Sequence, residues 1–156
     1  MKVELINDQQ KVKLDLELIK KVSKYVSGKF DKDATSQLNI IFSDKKKSKE
    51  LNKKYRNVNG ETDVLSFSYL SDKESISPEN GACTIIIGEI FICPEVAESN
   101  VLEQGKNWNL NLEIITLIVH GILHIYDYDH AGEKDKVNME GIQNSIISDI
   151  RRTFGL

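Results

Sequence analysis

Apolar and polar positions along the chain repeat with two different periods. Residues 1–6 alternate between the two kinds and predict a strand. Residues 14–30 instead repeat their apolar side chains at helical spacing until Gly28 and predict a helix. The repeating side chains are Leu14, Leu18, Val22 and Val26. The first two elements are therefore a strand and a helix.

Three further strands are predicted from runs rich in β-branched and aromatic residues. They lie within residues 35–44, 64–69 and 83–93. Ser43 or Asp44 is placed to cap a helix that follows the second of the four strands. Residues 71–82 are polar, contain a proline and a glycine, and predict a surface loop between the last two strands.

Two amphipathic helices are predicted in the second half of the chain. Pro94 suits a first helical position and Gly105 a helix end, which together predict a short helix over residues 94–105. After a polar turn around Gly132, a last helix is predicted over residues 133–154. Its apolar face is expected to contain Val137, Ile142, Ile146 and Ile150.

A different kind of helix is predicted between these two. Residues 112–126 are apolar nearly all round, which is typical of a helix in the centre of a domain. Asn109 or Asn111 is placed to cap it. The predicted fold class is therefore α+β, with four strands and a central apolar helix.

The composition fits one ordinary domain. The 156 residues are 40% hydrophobic, enough to bury a core without disulfides, and we expect a single domain over residues 1–156. No apolar run is long enough to span a membrane and no signal-peptide pattern is found, so the expected location is the cytoplasm. Cys83 and Cys93 fit neither a zinc knuckle nor a disulfide framework and are interpreted as buried strand residues.

Positive charge is concentrated in the segment after the second strand. The formal net charge of −3 argues against general adhesion to nucleic acid. Residues 45–56, however, contain seven cationic side chains and one Glu, a local charge of +6. Such a run indicates either a solvated helix face or a surface that holds an RNA backbone.

All three histidines of the chain fall within the segment HGILHIYDYDH. His120 and His124 are four residues apart, so on a helix their rings project from one face and can bind one ion. His130 reaches the same ion only if the helix stops first. Asp127 and Asp129 favour such a stop, because Asp tolerates the left-handed conformation of a sharp reversal. An equally good interpretation is that these carboxylates orient the histidine rings.

Three neutral imidazoles suit zinc best among the abundant metals, and one Zn²⁺ per chain is expected. Three protein ligands leave a fourth position for water, as in a catalytic zinc site. Gly121 stands where zinc proteases of the H-E-x-x-H type have their general base, so peptide hydrolysis is disfavoured. Gly121 either leaves space close to the metal or makes a helix-packing contact.

Three shorter motifs accompany the histidine segment. They are LNKKYR at 51–56, TDVLSF at 62–67 and GEI at 88–90. Together with HGILHIYDYDH, they resemble the YbeY family of bacterial rRNA maturation factors. The resemblance implies a zincin-like α+β domain, in which a central metal-bearing helix packs against a small mixed sheet. It also implies a metal-dependent, single-strand-specific endoribonuclease in 16S rRNA 3′-end processing and ribosome quality control, with rRNA and small-subunit components as partners.

Carried over by position, the resemblance makes His120, His124 and His130 metal ligands and places Arg56 in the active-site cleft. Independently, Arg56 closes the basic run, and a guanidinium suits the extra negative charge of a phosphorane-like transition state. A surface ion pair is the alternative role for Arg56. Three residues depart from the family pattern. Asp127 stands where the family usually has Gly, Glu61 where it usually has Pro, and Glu89 where it usually has Asp.

Two functions remain open from the sequence. The first is a metal-dependent endoribonuclease, in which either a metal-activated water or the 2′-hydroxyl of the substrate attacks. The second is a ribosome-assembly or RNA-binding factor in which the metal is structural. Cleavage of RNA separates the two.

Overall fold

The computed structural model describes four stretches of the chain, in which the strands form one mixed sheet. The stretches are residues 1–71, 84–105, 107–128 and 132–156. The strands are β1 (Lys2–Asn7), β2 (Ser36–Phe42), β3 (Val64–Ser68) and β4 (Ile85–Ile92). Their order across the sheet is β1-β2-β4-β3. β1 and β4 run parallel to β2, whereas β3 pairs antiparallel with β4 at an edge.

The four predicted strands are confirmed, and Cys93 is buried directly after β4, as expected for a small apolar side chain. Burial also raises the pKa of the Cys93 thiol. Two predictions lie outside the described residues. They are the burial of Cys83 and the surface loop over residues 71–82, of which only Ser71 is described.

Five helices accompany the sheet in the described residues. They are α1 (Leu16–Phe30), α2 (Lys45–Arg56), α3 (Pro94–Gln104), α4 (Leu110–Ile125) and α5 (Glu133–Phe154). Asp15, Asp44 and Asn109 cap α1, α2 and α4, because each side chain accepts a hydrogen bond from the backbone N–H three residues on. Of the two candidates for each cap, Asp44 therefore caps α2 in place of Ser43. Asn109 caps α4 in place of Asn111. None of these helices is long and apolar enough to cross a membrane.

α4 is the central helix, as its sequence predicted. It packs on one face of the sheet so closely that a Cβ added to Gly121 would lie 2.8 Å from Cδ1 of Ile90 in β4. The packing interpretation of Gly121 is therefore confirmed. The space beside this glycine is filled by Ile90 and is not left for an ion.

The apolar face predicted for α5 is wrong at its first position. Val137 is 68% exposed, because it lies about 140° round the helix from Ile142 and the two cannot share a narrow stripe. The buried side chains of α5 are those of Met139, Ile147 and Ile150. Ile142 and Ile146 are partly buried and pack against the same core, so the predicted face is confirmed at Ile142, Ile146 and Ile150.

The two faces of the sheet are covered differently. Gly88 and Ile90 face α4, since added Cβ atoms show that Gly88 contacts Ile125 and Gly121 contacts Ile90. Side chains alternate along a strand, so the neighbouring residues of β4 point to the opposite face. α2 packs there, with the ring of Tyr55 4.9 Å from the ring of Phe67 in β3. The ring of Tyr55, near the end of α2, therefore contacts the face of the sheet opposite to α4.

Candidate active site

The accessible stripe of α4 carries two of the three histidines. From Leu112 to Ile125, every residue is buried except Thr116, His120 and His124. These three follow one another at intervals of four residues and so lie on one face of the helix. Packing on all other sides leaves the imidazoles on the part of α4 that a ligand can reach.

The two imidazoles converge as the spacing predicted. Nε2 of His120 lies 3.0 Å from Nε2 of His124. The ring centroids are 4.6 Å apart, and the ring planes meet at 73°. Both histidines therefore direct the same ring nitrogen toward one point.

Gln143 of α5 orients the first histidine of this pair. Its Oε1 lies 3.0 Å from Nδ1 of His120. Because an amide oxygen can only accept, this contact favours the tautomer in which Nδ1 of His120 carries the proton. Sequence reasoning missed Gln143. The available signal was a polar residue four positions after Met139 on the stripe that α5 buries.

The turn after α4 has the geometry that the sequence predicted. The φ of Asp127 is 62°, in the left-handed region. The N–H of Asp127 donates to the carbonyl of His124 at 3.1 Å, and that of Tyr128 donates to the carbonyl of Leu123 at 3.0 Å. These two bonds form a Schellman motif, which stops the helix. Asp127 therefore makes the turn, and its side chain forms no hydrogen bond to a described histidine.

His130 and Asp129 lie outside the described residues. Within the residues that are described, no group of three or more His, Cys, Asp and Glu side chains is placed to hold a metal. The paired arrangement of His120 and His124 is therefore established, while the third ligand stays a prediction.

The end of α4 is also fixed to the sheet. The hydroxyl of Ser68 in the edge strand β3 donates to the carbonyl of Ile125 at 2.8 Å. Gly88 of β4 lies directly beneath the Ile125 side chain, which a Cβ there would approach to 2.7 Å. The turn that carries His124 is thus held by two strands.

α2 presents its charges away from the protein. It buries Ser48, Leu51 and Asn52 along one stripe. Its cationic side chains are all exposed, and none of them forms an ion pair with any described residue. The helix is held by polar contacts, in which Ser48 Oγ donates to the carbonyl of Thr62 at 2.6 Å and Asn52 Nδ2 to that of Gly60 at 2.9 Å.

Arg56 is the last residue of this helix. Asn57 follows in the left-handed conformation and ends α2, so the backbone of Arg56 is fixed at the helix terminus. The Arg56 side chain is exposed and makes no hydrogen bond or ion pair within the described part of the chain. The alternative role as a surface ion pair therefore finds no partner for Arg56 among the described residues. Arg56 also makes no hydrogen bond to His120 or His124.

Two of the three departures from the family pattern remain to be placed. Glu61 is exposed in the segment between α2 and β3. The carboxylate of Glu89 accepts hydrogen bonds from the hydroxyl of Tyr69 at 2.8 Å and from Nδ2 of Asn39 at 3.3 Å. Burial, and then the bond to Glu89, raises the pKa of Tyr69 to about 12, so this hydroxyl remains a donor. The Glu89 carboxylate therefore links β4 to Asn39 of β2 and to Tyr69.

The fold and the site define an α+β protein with a histidine pair on a central helix and a separate basic helix. Residues 4–151 match the family described as Endoribonuclease YbeY. A curated Endoribonuclease YbeY of Streptomyces coelicolor is 28% identical, over 97% of this chain and 92% of that protein. One from Staphylococcus aureus is 33% identical, over 72% of each chain. The chain therefore belongs to the YbeY endoribonuclease family.

A solved structure agrees with this assignment. The solution structure of TM1509 from Thermotoga maritima matches 97% of this chain and 91% of its own. The TM-score is 0.61 and the sequence identity 25%. The arrangement of the mixed sheet and its helices is therefore shared with an experimentally determined protein.

Proposed function

We propose that this protein is a metal-dependent, single-strand-specific endoribonuclease. Its proposed role is in rRNA maturation, including 16S rRNA 3′-end processing and ribosome quality control in the cytoplasm. The observation that carries the proposal is the 3.0 Å approach of the Nε2 atoms of His120 and His124. Membership of an endoribonuclease family supplies the reaction class. The family match over residues 4–151 supports treating residues 1–156 as one catalytic domain.

The histidine pair fits a zinc ion. Two nitrogens at about 2.0–2.1 Å from a tetrahedral zinc are roughly 3.3 Å apart, close to the separation of these two Nε2 atoms. The hydrogen bond from Nδ1 of His120 to Gln143 leaves Nε2 as a metal-binding atom, which is the usual arrangement around a zinc ligand. His120 and His124, with His130 as the proposed third ligand, would therefore hold one Zn²⁺.

Each part of the site has a proposed task in phosphodiester cleavage. A bound zinc ion would supply Lewis acidity and acidify water near the scissile phosphate. Gln143 keeps the His120 ring in one tautomer and orientation. Arg56 donates its planar pair of N–H groups to the phosphate oxygens as negative charge increases on them. The cations of α2 hold the neighbouring RNA backbone, because they have no ion-pair partners within the described residues.

The test compares cleavage with metal content. Purified protein is incubated, with and without chelator, with single-stranded RNA, double-stranded RNA and casein, and its zinc is measured by elemental analysis. We expect about one zinc per chain, cleavage of single-stranded RNA alone, and loss of cleavage on chelation. His124→Ala should lose metal and cleavage together. Leu102→Ala is the matched control, since Leu102 is 85% exposed on α3 and should change neither.

Two outcomes would contradict the proposal. Protein that neither carries nor takes up metal would remove the proposed site. Protein that binds metal and RNA but cuts no RNA with zinc, manganese or magnesium would instead be a ribosome-assembly factor with a structural metal.

A further inference from the structure

Tyr55 is unusual among the aromatic residues of this protein. The chain has eleven Phe, Tyr and Trp side chains, all within the described residues, and among them Tyr55 alone is more than half exposed. It is 54% exposed, although it lies next to an apolar part of the sheet. Leaving an aromatic ring in water forgoes the free energy that its burial would provide. Single exposed apolar side chains are normal, so the role of this accessible ring depends on its support and its neighbours.

The ring is exposed but well supported. It meets the ring of Phe67 edge to face, with centroids 4.9 Å apart and planes at 67°. Phe67 in turn meets Phe91 at 5.8 Å and 85°. Aromatic rings prefer such geometries, and they restrict the rotation of Tyr55. Tyr55 is thus a fixed aromatic surface and not a loosely held side chain.

The charged side chains next to Tyr55 in the sequence are positive. Nζ of Lys54 lies 5.1 Å from the centroid of the Tyr55 ring. Lys53, Lys54 and Arg56 are its neighbours in sequence, and all three are exposed. An aromatic surface bordered by cations is the combination with which proteins bind single-stranded nucleic acid, since bases stack on the ring and phosphates contact the cations. An acidic or apolar partner would match only one of these two features.

We propose that Tyr55 is a base-stacking platform that holds one unpaired nucleotide of the RNA beside Arg56. The proposal rests on the RNA cleavage proposed above and adds a reason for selectivity. A base in a duplex is already stacked and paired on both sides, so it cannot reach the ring without being extruded. Tyr55 therefore favours single-stranded RNA, whereas the lysines of α2 bind the backbone of either form.

Binding measurements with three RNA probes test this role. The probes are a short single-stranded RNA, the same RNA with one abasic ribose at the expected stacking position, and the duplex of the same sequence. The proteins are wild type, Tyr55→Leu, Tyr55→Phe and the control Leu102→Ala. Affinities are measured for the protein as purified, and the integrity of each RNA is checked on a gel. The abasic position is moved along the RNA to find the nucleotide that stacks.

Stacking of one base makes a distinct prediction for each variant. Tyr55→Leu should weaken binding of intact single-stranded RNA about 5- to 150-fold. Its affinity for the abasic RNA and the duplex should stay near that of wild type. Tyr55→Phe keeps the ring and should remain within about threefold of wild type on every probe, because stacking does not need the hydroxyl. Leu102→Ala should match wild type throughout.

Other results would overturn the inference. An equal loss on all three probes would mean that Tyr55 supports the fold or the phosphate contacts, and retention of full affinity by Tyr55→Leu would mean that the ring is not used. In both cases the wild type still binds and cuts RNA, so the proposed function survives. A wild type that binds none of the probes would overturn both proposals together.

Discussion

α4 and α2 carry the candidate chemistry of this protein, and they are held in the fold in opposite ways. Eleven of the sixteen residues of α4 are buried, against three of the twelve of α2. α4 is fixed by apolar packing, whereas α2 is attached through the Ser48 and Asn52 hydrogen bonds and a few apolar contacts. Two nitrogens that share an ion need fixed positions, and a buried helix provides them. Phosphate contacts tolerate mobile lysine side chains, so an exposed helix is sufficient.

The ends of the two helices are alike despite this difference. Asn57 after α2 and Asp127 after α4 both have positive φ, 57° and 62°. Each of these left-handed residues ends its helix within three residues of a candidate functional side chain. That side chain is Arg56 in α2 and His124 in α4. Asn and Asp are the non-glycine residues that most readily adopt this conformation. α4 and α2 therefore share a sharp helix end.

The largest effect is expected at Arg56. This residue belongs to the exposed helix α2, but its proposed role is in catalysis, like that of the histidines of α4. Arg56→Lys keeps the charge but loses the planar pair of donors, so it should retain zinc and most RNA affinity. Its single-turnover cleavage rate at saturating protein should fall by about 10²- to 10³-fold, as for loss of one preorganised donor to developing charge. If Arg56→Lys cleaves at the wild-type rate, Arg56 is not catalytic and only contacts phosphate, as the lysines are proposed to do.

Charge reversal on α2 tests its role in binding without touching α4. Lys46, Lys47 and Lys53 are exposed, and reversing all three to Glu should weaken RNA binding while leaving zinc content unchanged. Each lost phosphate contact reduces the salt slope for single strands by roughly 0.7, so the log–log slope should flatten by about 2. Affinity is measured from low to high salt. An unchanged slope would identify this helix surface as merely solvated.

The packing of α4 is tested by the same substitution at two helical glycines. Gly121→Ala places a methyl group against the fully buried Ile90, whereas Gly141→Ala in α5 has no atom within 4 Å of the added Cβ. Gly141→Ala should therefore stabilise the protein by about 1 kcal/mol through helix propensity. Gly121→Ala should be less stable than Gly141→Ala by about 1–3 kcal/mol, the cost of overpacking. Urea denaturation measures both free energies of unfolding.

A second change identifies the cause of that difference. Ile90→Val in the Gly121→Ala background should recover part of the lost stability, because it removes a methyl group from the crowded contact. Independent, additive effects of the two substitutions would show that the cost arises elsewhere.

The smallest effect is expected at the ends of the helices. Asp127→Gly should raise the free energy of unfolding by up to about 1 kcal/mol, since glycine adopts positive φ without a steric cost. Asp127→Val should lower it, and zinc affinity should fall with it if the turn positions His130. Asn57→Gly is the parallel change after α2 and should stabilise similarly without affecting zinc. Equal zinc affinity in all three variants would separate the Asp127 turn from the metal site.

Local chemistry explains why the elements were predicted well. Caps and periodicity act over one or two turns, so Asp44, Pro94 and the apolar run of α4 were interpretable without knowing their neighbours. The same locality explains the error at Val137. Periodicity predicts that a helix has an apolar face, but the neighbouring elements select which apolar residues are covered. Met139, and not Val137, is buried on α5.

The sequence by itself determined the four strands, the central helix and the histidine spacing, because each depends on residues close together in the chain. It also determined the left-handed turn at Asp127, which needs only a residue tolerant of positive φ. Tertiary structure decided the rest. The antiparallel edge position of β3, the contact of Gly121 with Ile90 and the bond from His120 to Gln143 each join segments distant in sequence. Such contacts depend on how whole elements pack, and local pattern carries no information about that choice.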